Sequence, residues 1–152
     1  MGLNIRDLSI SSPAFEAGGR IPDRFANDKG NDQPEMRIAG VPEGTVELAI
    51  ICHDPDAPLP YGFTHWTLYG ITPDTQVIPE NGEGSFRVGL NEFGSLGYGG
   101  PQPPGGHGPH HYYFWVYALD TRVDGAPSRN DFLETYGDHI IEQNRFVGIY
   151  EN

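Results

Sequence analysis

The sequence is short of both cysteine and lysine. Cys52 stands alone among 152 residues, so neither an internal disulfide nor a cysteine-based zinc site can form. It lies in the apolar run AIIC, where a small buried hydrophobe is expected. Lys29 is the single lysine among nine basic residues, set against 21 acidic ones, for a net charge of −12. Such a surface repels nucleic acid and anionic membranes at long range, and it suits a salty cytoplasm. No apolar run approaches the roughly 20 residues of a membrane-spanning helix. The opening stretch MGLNIRDLSI lacks a charged-then-apolar signal pattern. Gly2 is followed at position 6 by Arg6 rather than Ser or Thr, so the myristoylation pattern fails. A cytoplasmic protein with no membrane span and no nucleic-acid partner is expected.

What the chain has in quantity is backbone punctuation and aromatic side chains. Its 21 Gly and 14 Pro alternate with short runs that hold 18 Phe, Tyr and Trp residues. The aromatic runs argue for a folded, strand-rich domain with long structured loops, here taken as one domain over 1–152. Strands are predicted at Val46–His53, Phe63–Ile71 and His111–Leu119, where β-branched and aromatic residues concentrate. Weaker strands are expected at Leu8–Ser11, Met36–Ile38, Phe86–Val88 and Phe146–Tyr150. A helix is predicted near 128–143: Ser128 is an N-cap candidate, and Phe132, Leu133, Tyr136, Ile140 and Ile141 recur at roughly helical spacing. Gly137 interrupts it. With no βαβ alternation, an antiparallel sheet protein with a peripheral helix or two fits best.

Three stretches place titratable residues at strand ends. The first, HDPDAP, puts Asp54 and Asp56 around Pro55. Such residues start turns by bonding their own backbone, and they also form rigidly held carboxylates that suit a histidine partner. Pro55 in this setting permits a cis bond. The second is His65 within FTHWT, either a satisfied structural residue or, with a carboxylate on one ring nitrogen, a ligand contact. The third is GYGGPQPPGGHGPHHYYFWVYALD, residues 97–120. Its glycines allow close backbone approach to a ligand, and successive amides there can form an anion-binding concavity. His110 and Tyr112 share a strand face, whereas His111 points the other way. His65, His110 and Tyr112 beside a glycine loop suit an oxyanion, especially a phosphate monoester. The spacing is not that of a helical zinc site or a phosphate-binding P-loop.

DPDAP, then His-Trp, then G-Y-G-G-P-x-P-P, then G-P-H-H-Y and YALD together resemble the phosphatidylethanolamine-binding protein family, most closely its prokaryotic, Raf-kinase-inhibitor-like branch. The resemblance runs across nearly the whole chain. It implies a large antiparallel sheet packed on a smaller one, with short peripheral helices. It also implies a small pocket for phosphate or a phosphoethanolamine head group, formed here by Asp54, Asp56, His65, Gly99, Gly100, Pro101, His110 and Tyr112. Neither an established reaction nor a cofactor or metal comes with the family. Some members bind kinases or proteases, so a regulatory protein partner is the alternative function, and a homodimer is also expected. A hydrolase is the remaining option, but no Ser or Cys nucleophile stands beside a His in these motifs. His111 replaces an arginine usual in the family, so whatever carboxylate that arginine secures is expected to be held more loosely or in a pH-dependent way. Phosphate binding is expected to be weak and to strengthen at mildly acidic pH as imidazole protonates.

Overall fold

The apolar run at the centre of the sequence becomes the centre of the fold. In the computed structural model, which describes residues 5–152, Glu47–Asp54 (β3) is buried at every position. It pairs antiparallel with Phe63–Ile71 (β4) on one side and His110–Leu119 (β7) on the other. Arg87–Val88 (β6) lies beyond β4 and Ile140–Tyr150 (β8) beyond β7, completing a five-stranded sheet ordered β6-β4-β3-β7-β8. Ser9–Ser11 (β1), Met36–Ala39 (β2) and Val77–Ile78 (β5) form a second, three-stranded antiparallel sheet. The Gly2 expectation falls on residues 1–4, outside the described residues. No helix of the described residues is long and apolar enough to cross a membrane.

Side-chain alternation decides which face each residue serves. From β7, Tyr112, Phe114 and Val116 point toward the small sheet and share one apolar cluster with Ile10, Met36 and Ile38. The expected architecture, a large antiparallel sheet packed on a smaller one, is the one observed. On the other face of the large sheet, Ala49, Ile51, Tyr69 and Tyr117 pack under Phe132. Phe132 belongs to a helix, Arg129–Tyr136 (α1), which explains why β3 is apolar on both sides.

That helix is shorter than the sequence pattern indicates. Ser128 caps it by accepting the amide of Asp131 at 3.2 Å, as expected, but the helix stops at Tyr136 and passes through a single 3-10 turn at Gly137–His139. Ile140 and Ile141 then open β8 instead of extending the helix. Both residues are β-branched and restricted in a helix, and continuing β8 back to Ile140 lets it pair with β7 along the whole length of that strand. Every peptide bond of the described residues is trans, Pro55 included.

Candidate functional site

Antiparallel pairing brings the end of β3 to the start of β7, and with them two residues 56 positions apart. Asp54 Oδ2 lies 2.6 Å from His110 Nδ1, with the side chains 2% and 4% exposed. The Asp54 carboxylate can only accept, so His110 carries its proton on Nδ1. The other ring nitrogen, Nε2, lies 2.7 Å from Nδ1 of His107, which stands exposed on the Gly/Pro loop. Asp54, His110 and His107 thus form a chain running from the buried sheet edge to solvent. A second oxygen of Asp54 accepts the amide of Asp56 at 2.7 Å, closing the turn that HDPDAP suggests.

His65 rises from β4 and is clasped by the returning loop. Its Nδ1 donates to the Gly99 carbonyl at 2.7 Å, while the Gly99 amide donates to the His65 carbonyl at 2.9 Å. A neutral ring with Nδ1–H leaves Nε2 as an acceptor. Phe63, Phe93 and Tyr112 set the ring edge-on or tilted at centroid distances of 4.8–5.5 Å.

The side chains of Asp54, His65, His110 and Tyr112 line one cavity of about 240 Å³. Apart from Gln102, the rest of its wall is apolar, with Leu59, Phe63, Phe93, Pro103 and Pro104 among its residues. The other expected residues stand behind or beside the cavity. The amides of Gly99 and Gly100 are already taken, by the His65 carbonyl and by Asn31 Oδ1 at 2.7 Å, and the Pro101 carbonyl accepts from Asn27. The amide concavity expected from the glycines is therefore not formed by these two residues. Their lack of a side chain serves packing: a Cβ on Gly99 would press on the Phe93 ring, and one on Gly100 would strike the Phe25 carbonyl. Asp56 turns outward to His111, whose ring Nδ1 and amide both lie 2.7 Å from Asp56 Oδ2. His111 thus does hold a carboxylate, although the pair is only half-buried. Phe93 was not legible as a wall residue, because its loop, NEFGSLG, carries no motif.

Burial sets the charge states. It holds the His65 imidazole down at about 4, against the pull of the Gly99 carbonyl. Mildly acidic conditions therefore do not charge this ring, contrary to the expectation drawn from its ordinary value. Burial also raises the Asp54 carboxyl above its usual range despite the bond from His110. The Tyr112 phenol is pushed far up by burial and then by the Asp54 charge, so it remains a hydroxyl donor. Asp56 goes the other way: burial pulls upward, but the two His111 bonds outweigh it and hold the carboxyl low. Among the described residues, no group of three His, Cys, Asp or Glu side chains is arranged to hold a metal ion.

Residues 11–151 match the family model described as phosphatidylethanolamine-binding protein, and the chain belongs to that family. A UPF0098 protein of Methanothermobacter thermautotrophicus is 39% identical over 94% of this chain and 98% of its own. Another, of Archaeoglobus fulgidus, is 40% identical over 95% of this chain, which spans about half (51%) of that longer protein. Among solved structures, Escherichia coli YbcL, described as a new member of the mammalian family, superposes with a TM-score of 0.88 at 30% identity, covering 97% of this chain and 99% of its own. The Chlamydia trachomatis homolog CT736 gives 0.87 at 30% identity over 98% and 99%.

Proposed function

We propose that this protein binds a small oxyanion, a phosphate or a phosphoethanolamine head group, in the cavity formed by Asp54, His65, His110 and Tyr112, without catalysing a reaction. The observation that carries this is the convergence of two imidazoles and a protonated phenol on one small, largely apolar cavity. A ligand seated against such apolar walls is partly removed from water, so each polar contact made there counts for more than at the surface.

The charge states add a constraint on the ligand. His65 is neutral and offers a lone pair from Nε2, while Tyr112 offers a hydroxyl. A fully ionised phosphate has nothing to donate to His65. A singly protonated phosphate donates its P–OH to His65 Nε2 and accepts from Tyr112. Displacing His107 also frees His110 Nε2, a second ring nitrogen able to accept from the protonated ligand. The anion is thus taken with its proton. A chain of net charge −12 offers no long-range attraction to phosphate, and affinity rests on these short contacts.

The test is a calorimetric titration with O-phosphoethanolamine of the parent and of His65→Ala. Saturable binding by the parent that weakens about tenfold or more in the variant supports the proposal, since one charge-assisted hydrogen bond is worth that much. No binding by the parent, or equal binding by both, contradicts it.

A further inference from the structure

On the opposite face of the large sheet, across β7 from the cavity, two arginines converge without a carboxylate between them. Arg145 on β8 sits over the rings of Tyr113 and Trp115, at 5.1 and 5.4 Å from their centroids. Arg129 comes from the first turn of α1. Together with His53, Pro55, Tyr113 and Trp115 they line a cleft of about 220 Å³. Among the described residues neither guanidinium makes an ion pair, a state shared with Arg6 and Arg122, whereas Arg20, Arg24, Arg37 and Arg87 each pair with an acidic side chain. In a chain with 21 acidic residues against nine basic ones, two unpaired arginines sharing one cleft call for an explanation.

The environment of Arg129 makes the imbalance sharper. Its Nε is buried and has no hydrogen-bond partner among the described residues, a state rarely tolerated in folded proteins. A cation at the start of a helix also faces the positive end of the helix dipole, where an anion is favoured. The Arg129 charge reaches His53, where it acts after burial to hold that imidazole at about 4. Glu92, which lines the neighbouring pocket with Arg129, turns one oxygen to the Thr64 amide at 2.8 Å, and among the described residues it forms no ion pair with Arg129. The charged side chains lining the cleft, Arg129 and Arg145, are both positive, and its floor is aromatic; the Glu92 charge outside it is felt at His53, against that of Arg129.

We propose that this cleft is a second oxyanion site, taking a carboxylate or phosphate group between Arg129 and Arg145. The anion accepts from the Arg129 guanidinium, whose buried Nε has no partner among the described residues, and from the Arg145 guanidinium over the Tyr113 and Trp115 rings. Guanidinium forks match both oxyanions. The cleft has room for one such group with little around it, so the group arrives either as a free ion or on an acidic peptide. This site does not depend on the cavity containing His65, and the two stand or fall separately.

Two-dimensional ¹H–¹⁵N spectra test the proposal. The Trp115 indole and the Nε–H signals of Arg129 and Arg145 are followed during titration with inorganic phosphate and, separately, with a glutamate-rich peptide. The Trp66 indole, bonded to Glu83 at 3.1 Å in the core, serves as the internal reference for an intact fold. Saturable shifts at Trp115 and both arginines, persisting in His65→Ala and weakened about tenfold or more in the Arg129→Gln/Arg145→Gln double variant, are the expected result. Response to the peptide alone assigns the site to a polypeptide carboxylate, response to phosphate alone to a phosphate group, and response to both to either source. If neither ligand moves these signals saturably, or if the folded double variant binds as tightly as the parent, the site does not exist.

Discussion

The Asp54 carboxylate and the His110 imidazole meet at 2.6 Å with both side chains almost entirely out of solvent. This pair joins the ends of β3 and β7 and fixes the ring that faces the cavity. Removing one partner leaves the other buried without its bond. Asp54→Ala is expected to cost about 1–3 kcal/mol, the penalty for an unsatisfied buried polar group, and Asp54→Asn less, because an amide oxygen still accepts from Nδ1. Urea unfolding midpoints measure both. An unchanged midpoint in Asp54→Ala would mean that the pair does not hold the strand ends.

Stability should fall on mild acidification because two histidines resist protonation in the folded state. His53 and His65 both sit at about 4, below the ordinary 6.5, each chiefly through burial. The unfolded chain takes up these protons first as pH drops. Their contribution to stability is therefore complete above about pH 6.5 and is lost as pH falls toward about 4, by about 3 kcal/mol at most for each ring. Unfolding midpoints should be level down to about pH 7 and decline steadily below about pH 6. His65→Gln should show a shallower decline, and a flat profile in the parent would contradict the burial of these rings as neutral groups.

The cap on α1 gives a local test. Ser128 accepts the Asp131 amide, and Phe132 sits fully buried against Tyr69 and Tyr117. Ser128→Ala should cost about 1 kcal/mol, and Phe132→Ala about 3–5 kcal/mol. Thermal melts distinguish the two, and equal effects would mean that the helix is not anchored through Phe132.

These elements also show what the sequence did and did not disclose. Strands β3, β4 and β7 were legible because each is a long β-branched and aromatic run. The helix ends short of the sequence pattern because Ile140 and Ile141 satisfy a helical spacing and a strand preference at once, and only the pairing with β7, which is distant in sequence, decides between them. The four cavity side chains were legible as residue types at strand ends, and the family resemblance put them together. That Asp54 bonds His110 rather than His65 was not, because spacing carries no information about which of several strands will be neighbours. The same applies to the glycine amides. They looked available in the sequence, but Asn31 and the His65 carbonyl, 34 or more residues away, had already claimed them.

His107 offers a separate handle on the cavity. It is exposed, so His107→Ala should leave stability within about 0.5 kcal/mol of the parent. Its ring occupies the nitrogen of His110 that the anion would use. Its removal is expected to raise phosphate affinity several-fold, read by calorimetry. A loss of affinity would place His107 among the ligand's own contacts instead.

The most direct measurement of the central claim, that the cavity takes its anion together with a proton, is phosphoethanolamine affinity from about pH 8 to about pH 5, with sulfate in parallel. A phosphate monoester dianion takes up the proton that makes it singly protonated near pH ~6, whereas sulfate gains none in this range. Phosphoethanolamine binding should strengthen as pH falls and level off below about pH 6, with sulfate weak and nearly constant throughout. If both anions gain affinity together, the proton is being taken up by the protein. If phosphoethanolamine binds best at high pH, a neutral His65 accepting from the ligand is the wrong account of this cavity.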